Sequence, residues 1–398
     1  TSGSTVTNGT WSATNALTAT FSASTISVNL SITGDIIQFT GSTFNNPVAV
    51  TKTGTSTAQS NGGNTFNSTF TASINAGRFI TANGGNDVYQ GSTTFSCGAT
   101  TGRYEIGNTA GRTSTFNGVT TFNVVSNGVT AAVVGLNGNV IFNNDVTVNC
   151  NNSAVNSRII FASSSTATAT FNGTNNSFNI GASGNEMFIC GNGVTTFNQN
   201  ITVSNLTSGG SGRQIYTVGP TNSGTATLAS GRTITAGTFN GTGSLNIRNF
   251  TQLGSTAQNI TLTGTARLVF DNATFNGALT ASAPRVNFRS STFNGTTDLT
   301  QTGNAAEACD GGNTFNGALT LTNSGINGIS LGNLTSDTFN GNATFTRTSS
   351  GTINVAQTGT NSFKGNLTVN GGSSTFGALG GTILMNGTSL QTINPNVA

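Results

Sequence analysis

The sequence predicts an all-β chain, a parallel β-helix (β-solenoid) with about three short strands per coil. Three observations predict it. The tetrapeptide Thr-Phe-Asn-Gly recurs, among other places, at 115–118, 274–277, 292–295, 314–317 and 338–341. Short apolar-polar alternations, separated by Gly, Asn and Ser, fill the spaces between copies, which is the period-two signature of strands. The composition is also skewed, with 54 Gly, 26 Phe, 4 Pro and only 6% charged residues, where an ordinary soluble domain carries about 25%. A chain rich in Gly, Ser, Thr and Asn can be a disordered linker, but disorder goes with few aromatics and high net charge. Here the net charge is +3 and Phe is abundant. No window carries a capped 3.6-residue apolar stripe, so almost no helix is expected.

The elements follow from using the motif's Phe as a phase marker. Residues 1–43 read as N-terminal strands, a cap or the first coils. Residues 44–363 read as the β-helix of Phe-Asn-Gly repeats, and 364–398 as a final coil or C-terminal cap. Within the array the marker falls at Phe44, Phe66, Phe95, Phe116, Phe142, Phe171 and Phe197, then at Phe275, Phe293, Phe315, Phe339 and Phe363. The long gap after Phe197 holds two further rungs, assigned to Leu228 and Leu253. From Phe44 to Phe363 is 319 residues in 13 steps, a mean near 24.5, and single steps run from 18 to 31. Alternating stretches such as "DVTVNC", "ITVSN" and "ALTLT" follow the marker. Arg followed by apolar residues precedes many markers, at Arg78, Arg103, Arg158, Arg213, Arg267 and Arg285. Each period therefore reads as three strands. One coil cannot bury its apolar face, so stacking supplies the core. The general preference of parallel crossovers favours a right-handed coil.

The motif has a structural meaning in such a stack. Phe points inward over the Phe of the next coil, suited to offset stacking. Asn117, Asn276, Asn294, Asn316 and Asn340 occupy the corner, where stacked amides can bond rung to rung. Asn tolerates left-handed backbone and Gly supplies it, so Phe-Asn-Gly reads as a strand end entering a tight corner. The recurrent Arg reads as a solvated corner residue or as a weak anion- or polysaccharide-binding stripe.

Little in the sequence points to chemistry. There is no His, which excludes Ser-His-Asp and Cys-His arrangements. No catalytic, cofactor-binding or metal-ligating residue is assigned, and no cofactor is expected. Cys97, Cys150, Cys190 and Cys309 lack CxxC or any regular spacing and read as buried structural residues. The ten acids are scattered; the nearest cluster is Asp298, Glu307 and Asp310 beside Arg285 and Arg289. "NGGNDVY" brushes the calcium-roll nonapeptide without recurring. Thirteen Lys and Arg over 398 residues are too few to neutralise many phosphates, so nucleic acid is not an expected partner. No run approaches the roughly 20 apolar residues of a membrane span. The chain opens on Thr1, which reads as a processed form or a fragment.

"NTFNGALTLTNSG", "DTFNGNATFTRTSSGTINVAQTGTNSFKGNLTVN" and "GGTILMNGTSLQTI" resemble the repeat regions of giant cell-surface adhesins of Bacteroidetes bacteria, exported by the type IX route. The resemblance spans roughly Gly41 to Ile393 and rests on repeat style. It implies an extracellular or cell-surface structural or adhesive protein, self-associating into fibres or contacting glycans. The closing "QTINPNVA" carries no sorting domain, which reads as a fragment, a processed form, or another protein with the same coil chemistry. Two other readings are a polysaccharide-degrading β-helix enzyme and an ice-binding solenoid. The second requires regular Thr-x-Thr on one face, against which the uneven steps count.

Overall fold

The structure, a computed structural model, describes residues 5–6, 10–98, 101–125, 132–150, 158–181, 186–205, 214–239, 242–371 and 380–396. Among them there is no helix, and the strands stack in parallel as a β-solenoid. Contacts divide the chain into two compact units, one of residues 1–206 and 210–226, the other of 207–209 and 227–398. The boundary falls inside the span 44–363 that the repeats suggested as one array. Residues 10–43 are coils of the first unit: Thr10–Ser22 pairs with Asn29–Thr40, which pairs with Val48–Lys52.

The motif strands form one column of inward side chains. In the first unit it runs Ile26, Phe44, Phe66, Tyr89, Phe116, Phe142, Phe171, Phe197. The rings stack face to face: Phe44 on Phe66 at 5.0 Å, Phe66 on Tyr89 at 5.0 Å, Tyr89 on Phe116 at 4.6 Å. In the second unit Phe275, Phe293, Phe315, Phe339, Phe363 and Met385 continue the pattern, with Phe315 on Phe339 at 5.2 Å and 1° between planes. Each ring is almost wholly buried, worth about 1.5–3 kcal/mol, and each stacked pair adds about 0.5–1.5 kcal/mol. Phe70, Phe122, Phe178 and Phe345 reach in from the neighbouring sheet and meet the column tilted or edge-on.

Two ladder assignments are corrected. Phe95 is core but belongs to the next sheet, where its register partners are Ala72 and Phe122. Tyr89 holds the rung between Phe66 and Phe116. Leu253 is 57% exposed. Thr251 pairs with Thr274, which puts Gln252 beside Phe275, and Gln252 is the buried residue. Its amide is satisfied by accepting from the Gly277 amide and donating to the Thr256 carbonyl. Leu228 is buried and its carbonyl accepts from the Leu253 amide, the same bond that Phe275 makes to Asn294.

The strand after each motif builds a second sheet. In the first unit it contains Phe70–Ile74, Thr93–Cys97, Thr120–Val124, Val146–Cys150, Asn176–Ile180 and Ile201–Asn205. In the second unit Gln258–Thr261, Leu279–Ala283, Thr297–Gln301, Leu319–Asn323, Ala343–Arg347, Leu367–Asn370 and Ile393–Asn396 do the same. Burial alternates along these strands, so the first, third and fifth residues enter the core and the second and fourth face out. The recurrent Arg opens the third side, as in Arg78–Thr81 on Arg103–Ile106.

Candidate functional site

The corner after the Phe column is built from two residue types. Asparagine amides bond rung to rung: Asn143 donates to Asn117, Asn172 to Asn143 and Asn198 to Asn172, at 2.7 to 2.9 Å. Asn294, Asn316 and Asn340 each donate to the Asn below at 2.6 Å. Where the corner residue is not asparagine the ladder adapts. Asn276 turns to the Gln252 carbonyl because Leu253 has no acceptor, and Asn117 donates to Gln90.

The glycine's role differs from the sequence reading. Gly118, Gly277, Gly295, Gly317 and Gly341 are not in the left-handed region. Their Cβ positions are filled by the coil below: a methyl on Gly341 would lie 2.5 Å from the Gly317 oxygen, and one on Gly295 2.4 Å from the Gly277 oxygen. Close approach of backbones, not φ, demands glycine here.

The recurrent arginines are not a free basic stripe. Arg78 and Arg103 both bind Glu105, whose side chain is 2% exposed. Arg158 binds Glu186. Arg267 and Arg285 bind the buried Glu307, which also accepts from Asn287 at 3.1 Å. Arg248 and Arg289 share Asp271. Arg213 lies outside the described residues. Neighbouring arginines are thus bridged by carboxylates, and a buried carboxylate without such partners would be costly. The sequence shows the Arg spacing but not these pairings, because Glu105 and Glu307 sit two and twenty-two residues from their nearest Arg partners.

A second polar column lies inside the coil, one residue before the Thr-Phe pair. The Ser24 amide donates to Ser42 Oγ, Ser42 to Asn64 Oδ1, and Asn64 to Asp87 Oδ1. In the second unit the amides of Ser291, Asn313 and Asp337 donate in turn to Asn313, Asp337 and Asn361. Burial raises the carboxyls of Asp87 and Asp337 to about 6, against the bonds from Asn64 and Asn313 that favour the charged form. The Gly332 amide reaches Asp337 Oδ2 at 3.1 Å. The equivalent Ala82 amide favours charged Asp87 from beyond hydrogen-bonding geometry, and Asp87 Oδ2 is otherwise without a partner.

Among the acids considered for catalysis, the structure separates the cluster. Asp298 is exposed on the second sheet between Thr280 and Thr320. Glu307 is enclosed by its donors, and Asp310 lies 3.6 Å from Arg289. All four cysteines are buried thiols outside any disulfide. Burial pushes the thiols of Cys97 and Cys150 up to about 12 and that of Cys190 to about 11, and raises Cys309 further. Among the described residues no group of His, Cys, Asp and Glu is placed to hold a metal. No helix among them is long and apolar enough to cross a membrane.

The outward face of the second sheet is a regular polar surface. Thr71, Thr94, Thr121, Thr147, Ser177 and Thr202 stand in one register column. Beside it run Ser73, Ser96, Asn123, Asn149 and Asn179, and Asn123, Asn149 and Asn179 each donate to the residue below. In the second unit Thr320 and Thr322 pair with Thr344 and Thr346. The uneven coil steps are taken up in the corners and leave this face in register. Comparison with family models, with curated proteins and with solved structures finds no match.

Proposed function

We propose that this chain is a structural or adhesive repeat protein of the cell surface or extracellular space, which works by presenting its flat polar sheet face to glycans or to further copies. The observation that carries the reading is the unbroken Thr/Ser and Ser/Asn columns over successive coils. They space hydroxyls and amides at about 4.8 Å along the stack, a dense array for ligands or surfaces rich in hydroxyl groups. The charged groups are mostly spent on ion pairs within the stack, which supports a scaffold over a polysaccharide-cleaving enzyme. The resemblance to giant surface adhesins supports the same placement. The test is retention of the purified chain on a panel of immobilised polysaccharides, with negative-stain imaging for lateral association. Retention or association that Thr121→Tyr with Thr147→Tyr removes, at unchanged melting temperature, is the expected result. Failure of both assays, or cleavage products from the panel, would overturn it.

A second reading is favoured by the same face. Thr320-x-Thr322 over Thr344-x-Thr346 supplies the Thr-x-Thr pattern of an ice-binding surface on two adjacent coils in register, flanked by Asp298-x-Thr300 and Thr368-x-Asn370. Thermal hysteresis in a freezing assay, lost on Thr322→Tyr, would transfer the assignment to ice; its absence would remove this reading.

A further inference from the structure

One coil of the second unit is shorter than its neighbours, and the shortening falls at a single corner. Ala283 and Arg285 are joined by Pro284 alone. In the coil before, residues 262–266 join Gln258–Thr261 to Arg267–Phe275. In the coil after, residues 302–306 join Thr297–Gln301 to Glu307–Ala308. The short corner is therefore recessed between two longer ones. The result is a notch of about 460 Å³, with Pro284 and Arg285 as its floor, Gly264 and Thr265 on one wall and Asn304 and Ala305 on the other.

The notch carries an unbalanced charge. Arg267, Arg285 and the buried Glu307 form one group with a net charge of +1. Glu307 holds Arg285 by its Nε, so the guanidinium is fixed in direction, while among the described residues neither terminal nitrogen has a hydrogen-bond partner. The side chain is 38% exposed. Asn304 accepts from Asn327 at its carbonyl and from the Ile326 amide at its Oδ1, and its Nδ2 has no partner among the described residues. Thr265 is exposed and offers a hydroxyl that can donate or accept.

We infer that this notch binds a carboxylate-bearing saccharide. A planar guanidinium with two open terminal nitrogens matches a carboxylate bidentately. The surplus of one positive charge fits one such group. The walls offer hydroxyl, amide and backbone but no aromatic or large apolar side chain, which suits a polyhydroxylated ring over an apolar peptide side chain. The inference deepens the glycan-contact reading proposed above, but it concerns a different surface from the threonine face.

The experiment is calorimetric titration of the full chain at low salt with trigalacturonate, with neutral galactotriose and with a triglutamate peptide. Saturable binding of trigalacturonate is expected, about tenfold or more tighter than galactotriose or triglutamate. Arg285→Gln is expected to weaken it at least about tenfold. Asn304→Ala, which leaves the Glu307 group untouched and removes only the exposed bond from the Ile326 amide, is expected to weaken it about threefold to fivefold in a chain that still folds. Should Arg285→Gln fail to fold, Asn304→Ala decides alone. No binding of trigalacturonate, equal binding of galactotriose, or full affinity in the folded variants overturns the site. Equal binding of triglutamate overturns the saccharide class. Loss of this site with retention on polysaccharide by the threonine face would leave the adhesive reading standing.

Discussion

A single aromatic rung shows how much of the core each side chain carries. Phe315 lies between Phe293 at 4.9 Å and Phe339 at 5.2 Å and is 1% exposed. Phe315→Ala leaves a cavity in a stack that cannot close without breaking register, so a loss of about 3–5 kcal/mol is expected in urea unfolding. Leu253→Ala is the control. Its side chain is 57% exposed, and a change above about 0.5 kcal/mol would show that the rung had been misplaced. Asp87 and Asp337 make a second residue-scale prediction. Their folded pKa of about 6 lies above the ordinary 3.8, so the folded chain holds these protons more tightly than the unfolded one. Their contribution to stability is full below about pH 4 and is lost as pH rises through about 6, on the order of 2–3 kcal/mol each. Asp35 and Asp145 are shifted the other way, the first by its Ser56 bond, with desolvation opposing and Lys52 assisting, the second because desolvation, the largest single cause, is exceeded by the bonds from Asn175 and Thr174 together. Their effect falls below about pH 4, outside this window. The urea midpoint should therefore be higher at about pH 4.5 than at about pH 7.5. Asp87→Asn should flatten that slope and be no less stable at the higher pH; an unchanged slope would mean that Asp87 does not titrate there.

At the scale of the coil, backbone proximity explains what composition alone cannot. The motif glycine is fixed by the carbonyl beneath it, so Gly341→Ala should cost about 1–3 kcal/mol, although alanine fits the local φ. A neutral result in thermal melting would mean that adjacent corners separate easily. Which coils exist was legible from Phe, Asn and Gly, because a stacked fold repeats its chemistry at each turn. The two misplaced rungs had a legible signal that the Phe marker hid. "VYQG" is aromatic, amide, glycine with Tyr89 and Gln90 in the Phe and Asn places, and Gly254 in "QLG" counts back to Gln252. Anchoring on the glycine finds both, because close approach tolerates fewer residue types than an inward site, where Tyr and a bonded Gln also fit. The Arg–Glu groups and the notch at Pro284 were not legible. They depend on corner lengths and on which coils lie adjacent, and a linear spacing does not state either.

Over the whole molecule, stability in a stacked array is a sum of coil and neighbour terms, so the two compact units need not open together. Their inner columns differ. In the first, the buried Lys52 is followed in one register line by the five apolar residues Ile74, Cys97, Val124, Cys150 and Ile180. At the corresponding line of the second, Ala283 is followed by Gln301, Asn323 and Arg347. Gln301 and Asn323 are buried and their amides are bonded, Gln301 to the Ala305 carbonyl and Asn323 to those of Asn327 and Thr352. A bonded amide avoids the penalty of burial but forgoes the gain of an apolar side chain, about 1.5–3 kcal/mol per site. The second unit should therefore open at lower denaturant. The buried thiols report this directly, since Cys97, Cys150 and Cys190 belong to the first unit and Cys309 to the second. Labelling with a thiol reagent across a urea series, read by peptide mass spectrometry, should show no reaction in the native state. Cys309 should then react at a lower urea concentration than Cys97 and Cys150. Coincident labelling of all four would mean that the array opens as one cooperative block. Earlier reaction at Cys97 would mean that the polar column of the second unit stabilises more than the apolar column of the first.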